Sequence, residues 1–277
     1  MSSMLKLLAI TLLTGSLVYA QDSGKKIADF LSEEFSDNPR LNSVDVKVSD
    51  VLPLKDLKSW NAYIVDVEAT LKDKPKEKIQ QRMIWFSNGE IITKELTKMS
   101  SGESFVDLVK PDMKPDSYSK ANLIYGNENA KHKVAIFSDP LCPFCRGFVP
   151  GAIKEMKKDP KKFAIYYYHF PLARLHPAAV VLVQAAAAAE YKGIKDVVLK
   201  LYSVEINPNE KDVSKILAAF NKAVGTNITV KDMQDPAVKK MLEFDQKVAQ
   251  KLMVGGTPTV YFDNKIDQTK KKYKSAK

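Results

Sequence analysis

The feature of this sequence that most constrains its fold is a pair of cysteines separated by two residues. Cys142 and Cys145 are the only cysteines among 277 residues. They follow an apolar run that predicts a strand over 134–137 and precede a segment, 146–158, that can be helical. The start of such a helix carries unpaired N–H groups and the positive end of the helix dipole, which favours a thiolate at Cys142. Cys145, one turn later, can reach back and close a disulfide, so the spacing predicts a redox-active pair.

The other interpretations of the pair are an accidental spacing, a structural disulfide and half of a zinc site. A loop this short restrains little of the unfolded chain, so a structural disulfide would stabilise little. Zinc needs two further Cys or His ligands, and His132, His169 and His176 lack paired-ligand spacing. We therefore expect no metal and no cofactor other than the Cys142–Cys145 disulfide itself.

The N-terminus has the pattern of a secretory signal peptide over residues 1–20. Lys6 precedes an apolar run from Leu7 to Val18, and the small residue Ala20 marks a cleavage site. The run is shorter than the roughly 20 residues that span a bilayer, although an uncleaved anchor is the alternative. We expect a periplasmic protein whose cysteines act on the disulfides of other proteins, because that compartment is oxidising.

The formal net charge is +10, with lysines scattered along the chain. We favour a solvated basic surface, with weak attraction to anionic membranes or acidic clients as the alternative. The sequence has no stripe of interleaved aromatic and basic residues, so we expect no nucleic-acid partner.

The N-terminal half predicts a small α+β domain over 21–98. Ser23 to Ser36 reads as an amphipathic helix, with Ile27, Phe30, Leu31 and Phe35 on one face. Alternating strand patterns follow, and Asn-Gly between two β-rich runs indicates a hairpin. This domain contains no catalytic constellation, which suits a role in packing or self-association.

A linker is expected over 99–120, with a short helix from about 100 to 110 before a proline-rich stretch. The second domain is predicted over 121–277. Its strands are expected over 123–125, 134–138, 163–170 and 259–262, and Phe148 is placed on the buried face of the helix after the cysteines. Four helical patterns occupy the interval of about 172–253, and the first is alanine-rich and apolar nearly all round, which predicts burial.

This order of elements resembles the thioredoxin superfamily, and within it the Dsb-type periplasmic thiol–disulfide oxidoreductases. Thr257-Pro258 before the last strand is similar to the family's cis-proline loop, which implies that this loop faces the cysteines and binds substrate. The helices over 172–253 look like the helical insertion of DsbA-like proteins. Asp139-Pro140 followed by Cys-Pro-aromatic-Cys and a basic residue looks most like DsbG.

The resemblance extends to the N-terminal domain, which is similar in architecture to the dimerisation domain and linker helix of DsbC and DsbG. It implies an α/β thioredoxin-like catalytic domain, a homodimer, and a membrane redox partner of the DsbB or DsbD type. The chain departs from DsbA-like enzymes at Phe144, where they carry a histidine that stabilises the thiolate. Little sequence also remains after the last strand for the usual C-terminal helix.

These observations predict a protein thiol–disulfide oxidoreductase or isomerase acting on exported proteins. Cys142 is expected to be an exposed attacking thiolate and Cys145 to resolve the mixed disulfide. Pro143, Phe144, Asp139 and Arg146 are candidates for tuning the pair, although Asp139 is equally suited to holding a turn.

The two histidines after the catalytic region, His169 and His176, are interpreted as packing or capping residues rather than catalysts. One alternative function is a net disulfide oxidase like DsbA. The other, of a different class, is a periplasmic chaperone whose redox activity is secondary.

Overall fold

A computed structural model describes residues 23–277, which form two compact units with the boundary between Lys110 and Pro111. This boundary falls inside the segment expected to be a linker, 99–120. The predicted signal peptide over 1–20 lies outside the described residues. Among those described, no helix is both long and apolar enough to cross a membrane.

The first unit is one helix and an antiparallel four-stranded sheet in the order β1–β2–β3–β4. Helix α1 covers 23–36, and a small hairpin and a short helix close the unit. The remaining bounds are β1 Leu41–Pro53, β2 Asn61–Leu71, β3 Lys78–Ser87, β4 Ile92–Thr93, β5 Thr97–Lys98, β6 Glu103–Ser104 and α2 Phe105–Val109.

The helix packs on the sheet through part of the predicted face. Ile27 and Leu31 join a core with Tyr63, Val65 and Trp85, whereas Phe30 is 44% exposed. The hairpin predicted at Asn-Gly is present between β3 and β4. The helix expected over 100–110 begins only at 105, because a positive φ of 70° at Gly102 makes a turn between β5 and β6.

The second unit contains a five-stranded sheet in the order β11–β10–β8–β9–β7. Strands β8 and β9 are parallel, and the other neighbours are antiparallel. The bounds are β7 Leu123–Tyr125, β8 His132–Ser138, β9 Phe163–His169, β10 Thr259–Phe262 and β11 Lys265–Ile266. Helix α3, Pro143–Met156, makes the crossover from β8 to β9.

The helical insertion lies between β9 and β10. It has five helices rather than four, because a short additional one precedes the last: α4 Pro177–Tyr191, α5 Val197–Leu201, α6 Val213–Val224, α7 Val230–Met233 and α8 Pro236–Lys251. The alanine-rich helix α4 is buried among the others, as predicted. After β11 the structure describes one further helical turn, α9 Lys272–Ser275. The architecture is thus the predicted α/β fold with an inserted helical layer.

The sheet topology brings two distant loops together. Four residues separate the end of strand β8 from the start of α3, and β10 runs antiparallel to β8, with Thr259 opposite Phe137. The residues just before β10 therefore lie beside the residues just after β8. The two cysteines and the Thr257–Pro258 loop thus lie at the same end of these strands.

Candidate active site

Cys142 is the N-cap residue of α3, with extended backbone angles of φ −66° and ψ 123°. Its carbonyl accepts the first helical hydrogen bond from the N–H of Arg146 at 3.0 Å. Pro143 occupies the first turn, where its missing N–H costs nothing. The sulfur of Cys142 therefore lies at the positive end of a 14-residue helix.

Cys142 is less exposed than the sequence analysis predicts. The residue is only 4% exposed, because the loop before β10 covers it. Its Sγ lies 3.6 Å from the carbonyl oxygen of Thr257, to which the thiol donates. The neighbouring Phe144 is 77% exposed. The expectation of an exposed Cys142 is thus wrong for this structure, in which the surface beside the sulfur is presented by Pro143 and Phe144.

The loop that covers Cys142 contains a cis peptide bond between Thr257 and Pro258. Pro258 is buried and Thr257 half-buried. The cis geometry implied by the resemblance is therefore present, and the loop lies directly against the first cysteine.

Cys145 is fully buried beneath the first cysteine, and both residues are thiols. Burial raises the pKa of Cys145 to about 11, and the nearby hydroxyls of Ser138 and Thr257 oppose this rise. The Thr257 hydroxyl is itself buried and makes no hydrogen bond of standard geometry within 23–277. The Cys145 thiol is thus harder to deprotonate than a free cysteine, although the nearby hydroxyls favour its thiolate.

A chain of buried hydroxyl groups extends from Ser138 into the protein. Ser138 Oγ lies 2.5 Å from the Tyr202 hydroxyl, which lies 2.9 Å from that of Tyr167. Both tyrosines belong to the same core cluster as Cys145. No sequence motif predicts this chain, because Ser138, Tyr167 and Tyr202 are far apart along the sequence.

Asp139 is completely buried, and its carboxylate holds the loop before the helix. One oxygen accepts hydrogen bonds from the N–H groups of Leu141 and Cys142, at 2.7 and 3.2 Å. The other accepts from the N–H of Leu172 at 2.7 Å and lies 3.0 Å from Nδ1 of His176. These contacts favour the interpretation of Asp139 as a turn-holding residue that positions Cys142.

Arg146 contacts carbonyl groups rather than sulfur. Its Nε donates to the carbonyl of Pro140 at 2.8 Å, and one terminal nitrogen donates to the carbonyl of Val204 at 2.6 Å. The guanidinium therefore ties α3 to the preceding loop and to the segment after α5. Its contribution is to fix the helix start as well as to place a positive charge near it.

The two histidines lie at the boundary between the sheet and the insertion. His176 is the N-cap residue of α4, but its side chain makes no capping hydrogen bond and its Nδ1 lies 3.0 Å from a carboxylate oxygen of Asp139. Nε2 of His169 lies 3.1 Å from a carboxylate oxygen of Glu190. The pKa of His169 is raised because Glu190 and Asp245 outweigh its burial. Both histidines lie beside carboxylates, which fits the interpretation as packing residues. No group of three potential metal-binding side chains exists among the residues that the structure describes.

A dithiol at a helix N-terminus, with one sulfur against a peptide carbonyl and the other buried one turn later, is suited to exchanging disulfides with other thiols. The fold and this site together define a thiol–disulfide oxidoreductase.

Comparison with known proteins extends this assignment. A family model described as "Thioredoxin" matches residues 118–277, more than half of the sequence, so the chain belongs to the thioredoxin family. A curated relative is "Probable disulfide bond formation protein D" of Bacillus cereus, which is 29% identical over 153 residues. The match covers 51% of this chain and 69% of that protein. A protein of the same name from Bacillus anthracis matches to the same extent.

Solved structures that resemble the chain include a thioredoxin-like oxidoreductase from Silicibacter pomeroyi DSS-3. It has a TM-score of 0.45 and 23% identity, covering 59% of this chain and 95% of that one. Oxidised BdbD from Bacillus subtilis has a TM-score of 0.44 and 18% identity, covering 60% and 90%. The closer likeness to DsbG and DsbC stays a prediction.

Proposed function

We propose that the protein exchanges disulfides with exported proteins through the Cys142–Cys145 pair, as an isomerase or reductase. The observation that carries this proposal is the placement of Cys142 at the N-terminus of α3, against the Thr257 carbonyl, with Cys145 buried behind it. The pair is its own redox centre and needs no other cofactor.

The chemistry has two steps. The Cys142 thiolate attacks one sulfur of a client disulfide, forms a mixed disulfide and releases the other client sulfur as a thiolate. Cys145 then loses its proton and attacks the Cys142 sulfur, which releases the second client thiolate. The client gains two electrons and the protein becomes the Cys142–Cys145 disulfide. If a different client thiolate instead attacks the client sulfur of the mixed disulfide, a new client disulfide forms, Cys142 leaves as a thiolate, and the client is isomerised.

The residues around the pair have different roles in these two steps. Thr257 and Pro258 hold the client chain beside the sulfurs, and the Thr257 carbonyl that accepts the Cys142 thiol in the free protein is available to a client amide. Pro143 and Phe144 present apolar surface to the client. Asp139 and Arg146 keep the helix start in place through backbone contacts.

The first unit serves as the dimerisation domain in this proposal. Its strand β1 is 13 residues long and lies at the edge of the sheet, so its outer backbone groups are available to a second copy. Sedimentation of the mature protein as a monomer would remove the dimer from the proposal without affecting the chemistry of the site.

The protein acts in the periplasm in this proposal, after removal of the signal peptide over 1–20. A membrane partner of the DsbB or DsbD type resets its cysteines, and the direction of electron flow depends on that partner. A net oxidase is the second candidate, because the curated relatives are named for disulfide bond formation. Acid trapping and alkylation in cells separates the two: a reduced pair supports the isomerase or reductase and an oxidised pair the oxidase.

Cysteine variants test the exchange itself. Cys142→Ser should abolish the reduction of insulin, and Cys145→Ser should accumulate mixed disulfides with clients that a reductant releases. A Cys142→Ser variant that retains insulin reduction would refute the proposal. Retained suppression of client aggregation in that variant, with exchange lost, would identify a chaperone activity that is independent of the cysteines.

A further inference from the structure

A groove opens directly beside the reactive cysteines. It has a volume of about 510 Å³, and we call it the lysine groove. The residues that line it include Phe144, Phe148, Thr257, Pro258, Lys270 and Lys271. A client whose cysteine reacts with Cys142 must pass its neighbouring residues along this wall, because the Thr257–Pro258 loop covers the sulfur.

One side of the lysine groove is apolar. Phe144 and Phe148 are four residues apart on α3, so their rings lie on the same face of the helix. Phe144 is 77% exposed, and Phe148, which the sequence analysis places in the core, is only half-buried. A large aromatic ring that stays exposed beside a reactive site can recover hydrophobic free energy when a client covers it.

The other side is positively charged and held in place by a buried carboxylate. Asp267 is 2% exposed and accepts hydrogen bonds from the N–H and hydroxyl of Thr269 and from the N–H of Lys272. Its own N–H donates to the carbonyl of Val260 in the central sheet at 2.7 Å. The turn that carries Lys270 and Lys271 is therefore fixed to strand β10, a few residues from the Thr257–Pro258 loop.

The two ammonium groups are available to a client. Across residues 23–277 neither lysine forms a salt bridge, whereas Lys251 and Lys157 of the same unit are each paired with a carboxylate. An acidic side chain in the client would supply the missing partner at the end of an apolar groove. Such exposed pairs are weak singly, and salt screens them.

We propose that the lysine groove selects clients whose reacting cysteine is flanked by an aromatic or long apolar residue and by an acidic residue. This inference rests on the proposed disulfide exchange and names the class of polypeptide segment that the site prefers. Phe144 and Phe148 contact the apolar residue, and Lys270 and Lys271 contact the acidic one. The preference acts on the first step, in which the client disulfide meets Cys142.

The test uses peptides that each contain one internal disulfide and one phenylalanine, and that differ only in an Asp, Ser or Lys beside the reacting cysteine. The reduced protein is mixed with each peptide, and quenched-flow samples give the second-order rate at which the peptide disulfide is reduced as Cys142 and Cys145 are oxidised. We expect the Asp peptide to react about three- to tenfold faster than the Ser peptide, and the Lys peptide to react slowest. At 0.5 M salt the ratios should approach one.

Two variants and a matched control test whether Lys270 and Lys271 cause the preference for the Asp peptide. K270E/K271E should reverse the order of the peptides. K270N/K271Q, in which asparagine tolerates the positive φ of 56° at that position, should remove the preference without adding repulsion. The control K240E/K247E makes the same change in net charge at two exposed lysines of α8 without salt bridges in the described chain, and it should keep the wild-type ratios.

The outcomes separate the failure of this inference from the failure of the proposed function. Equal rates for the Asp and Ser peptides, or K270E/K271E ratios that match the wild type, overturn the lysine preference while exchange itself stands. A control variant that loses the preference as strongly as K270E/K271E also overturns it, because net charge would then be the cause. A wild-type protein that reduces none of the peptides refutes the disulfide exchange on which the inference rests.

Discussion

Replacing Asp139 tests whether a single buried carboxylate holds the loop that presents Cys142. The side chain has no exposed surface and contacts four groups from two segments, the loop before α3 and the segment before α4. Asp139→Ala removes every acceptor. Asp139→Asn has the same shape but exchanges one oxygen for an NH₂ group, which cannot accept from the Leu172 N–H.

The structure sets the magnitude of each change. Asp139→Ala leaves the N–H groups of Leu141 and Leu172 without their acceptor, whereas that of Cys142 keeps the backbone carbonyl of residue 139 at 3.3 Å; each buried unpaired donor costs about 1–3 kcal/mol. Water entering the space left by the carboxylate would relieve part of this cost, so we expect a loss of about 3–5 kcal/mol in the free energy of unfolding. Asp139→Asn can keep the bonds to Leu141 and Cys142, and we expect a loss of about 1–3 kcal/mol.

Urea unfolding followed by ellipticity at 222 nm measures these changes, because the second unit contains most of the helices. Tryptophan fluorescence does not report on that unit directly, since Trp60 and Trp85, the only tryptophans, both belong to the first. With a slope of about 2 kcal/mol per molar urea, Asp139→Ala should lower the midpoint by roughly 1.5–2.5 M. Asp112→Ala, at an exposed aspartate without a hydrogen bond in the described chain, should stay within about 0.5 kcal/mol of wild type.

An Asp139→Ala variant that is no less stable than the Asp112→Ala control would refute the role of the carboxylate in holding the loop. Equal losses of stability in the Ala and Asn variants would show that the acceptor oxygen kept by asparagine contributes nothing. A variant that keeps its stability but loses the reactivity of Cys142 would instead assign Asp139 the modulating role that the sequence also allows.

Three further predictions concern the same unit. Ser138→Ala removes a hydroxyl that favours the Cys145 thiolate. Release of a client from its mixed disulfide should therefore slow about three- to tenfold in stopped-flow measurements, while attack by Cys142 is unchanged. Equal release rates in the variant and the wild type would count against this prediction. Burial raises the pKa of Asp245 to about 6, so its stabilising contribution is complete below about pH 4 and is lost as the pH rises through 6. Between pH 4 and 7 the free energy of unfolding should fall by about 2–3 kcal/mol less in Asp245→Asn than in the wild type, as measured by chemical denaturation. Identical pH profiles would contradict this. Gly126→Ala places a Cβ 2.0 Å from a backbone oxygen at a φ of 79° and should cost more than about 2 kcal/mol, whereas Gly151→Ala, in open space on α3, should be neutral or stabilising by up to about 1 kcal/mol; similar unfolding midpoints for the two would refute it.

Local sequence rules predicted the parts of this molecule that depend on neighbours in the chain. The strand before Cys142, the helix after it and the amphipathic helix over 23–36 follow from the periodicity of apolar residues. The hairpin at Asn-Gly follows from turn chemistry. The same rules placed Phe30 and Phe148 in the core, and failed there because periodicity assigns a face but does not say how far the opposing surface extends.

The sequence by itself determined the chemistry of this protein, and the tertiary structure decided the environment of that chemistry. Two cysteines one helical turn apart at the end of a strand indicate a redox pair whatever surrounds them. That Cys142 is covered by Thr257, and that Asp139 meets His176, depends on strand order and on the seating of the inserted helices. Only the folded chain brings Lys270 and Lys271 to the wall of the groove beside Phe144. These contacts join residues 37 to more than 120 positions apart, where no local pattern operates, so they became visible only once the sheet was assembled.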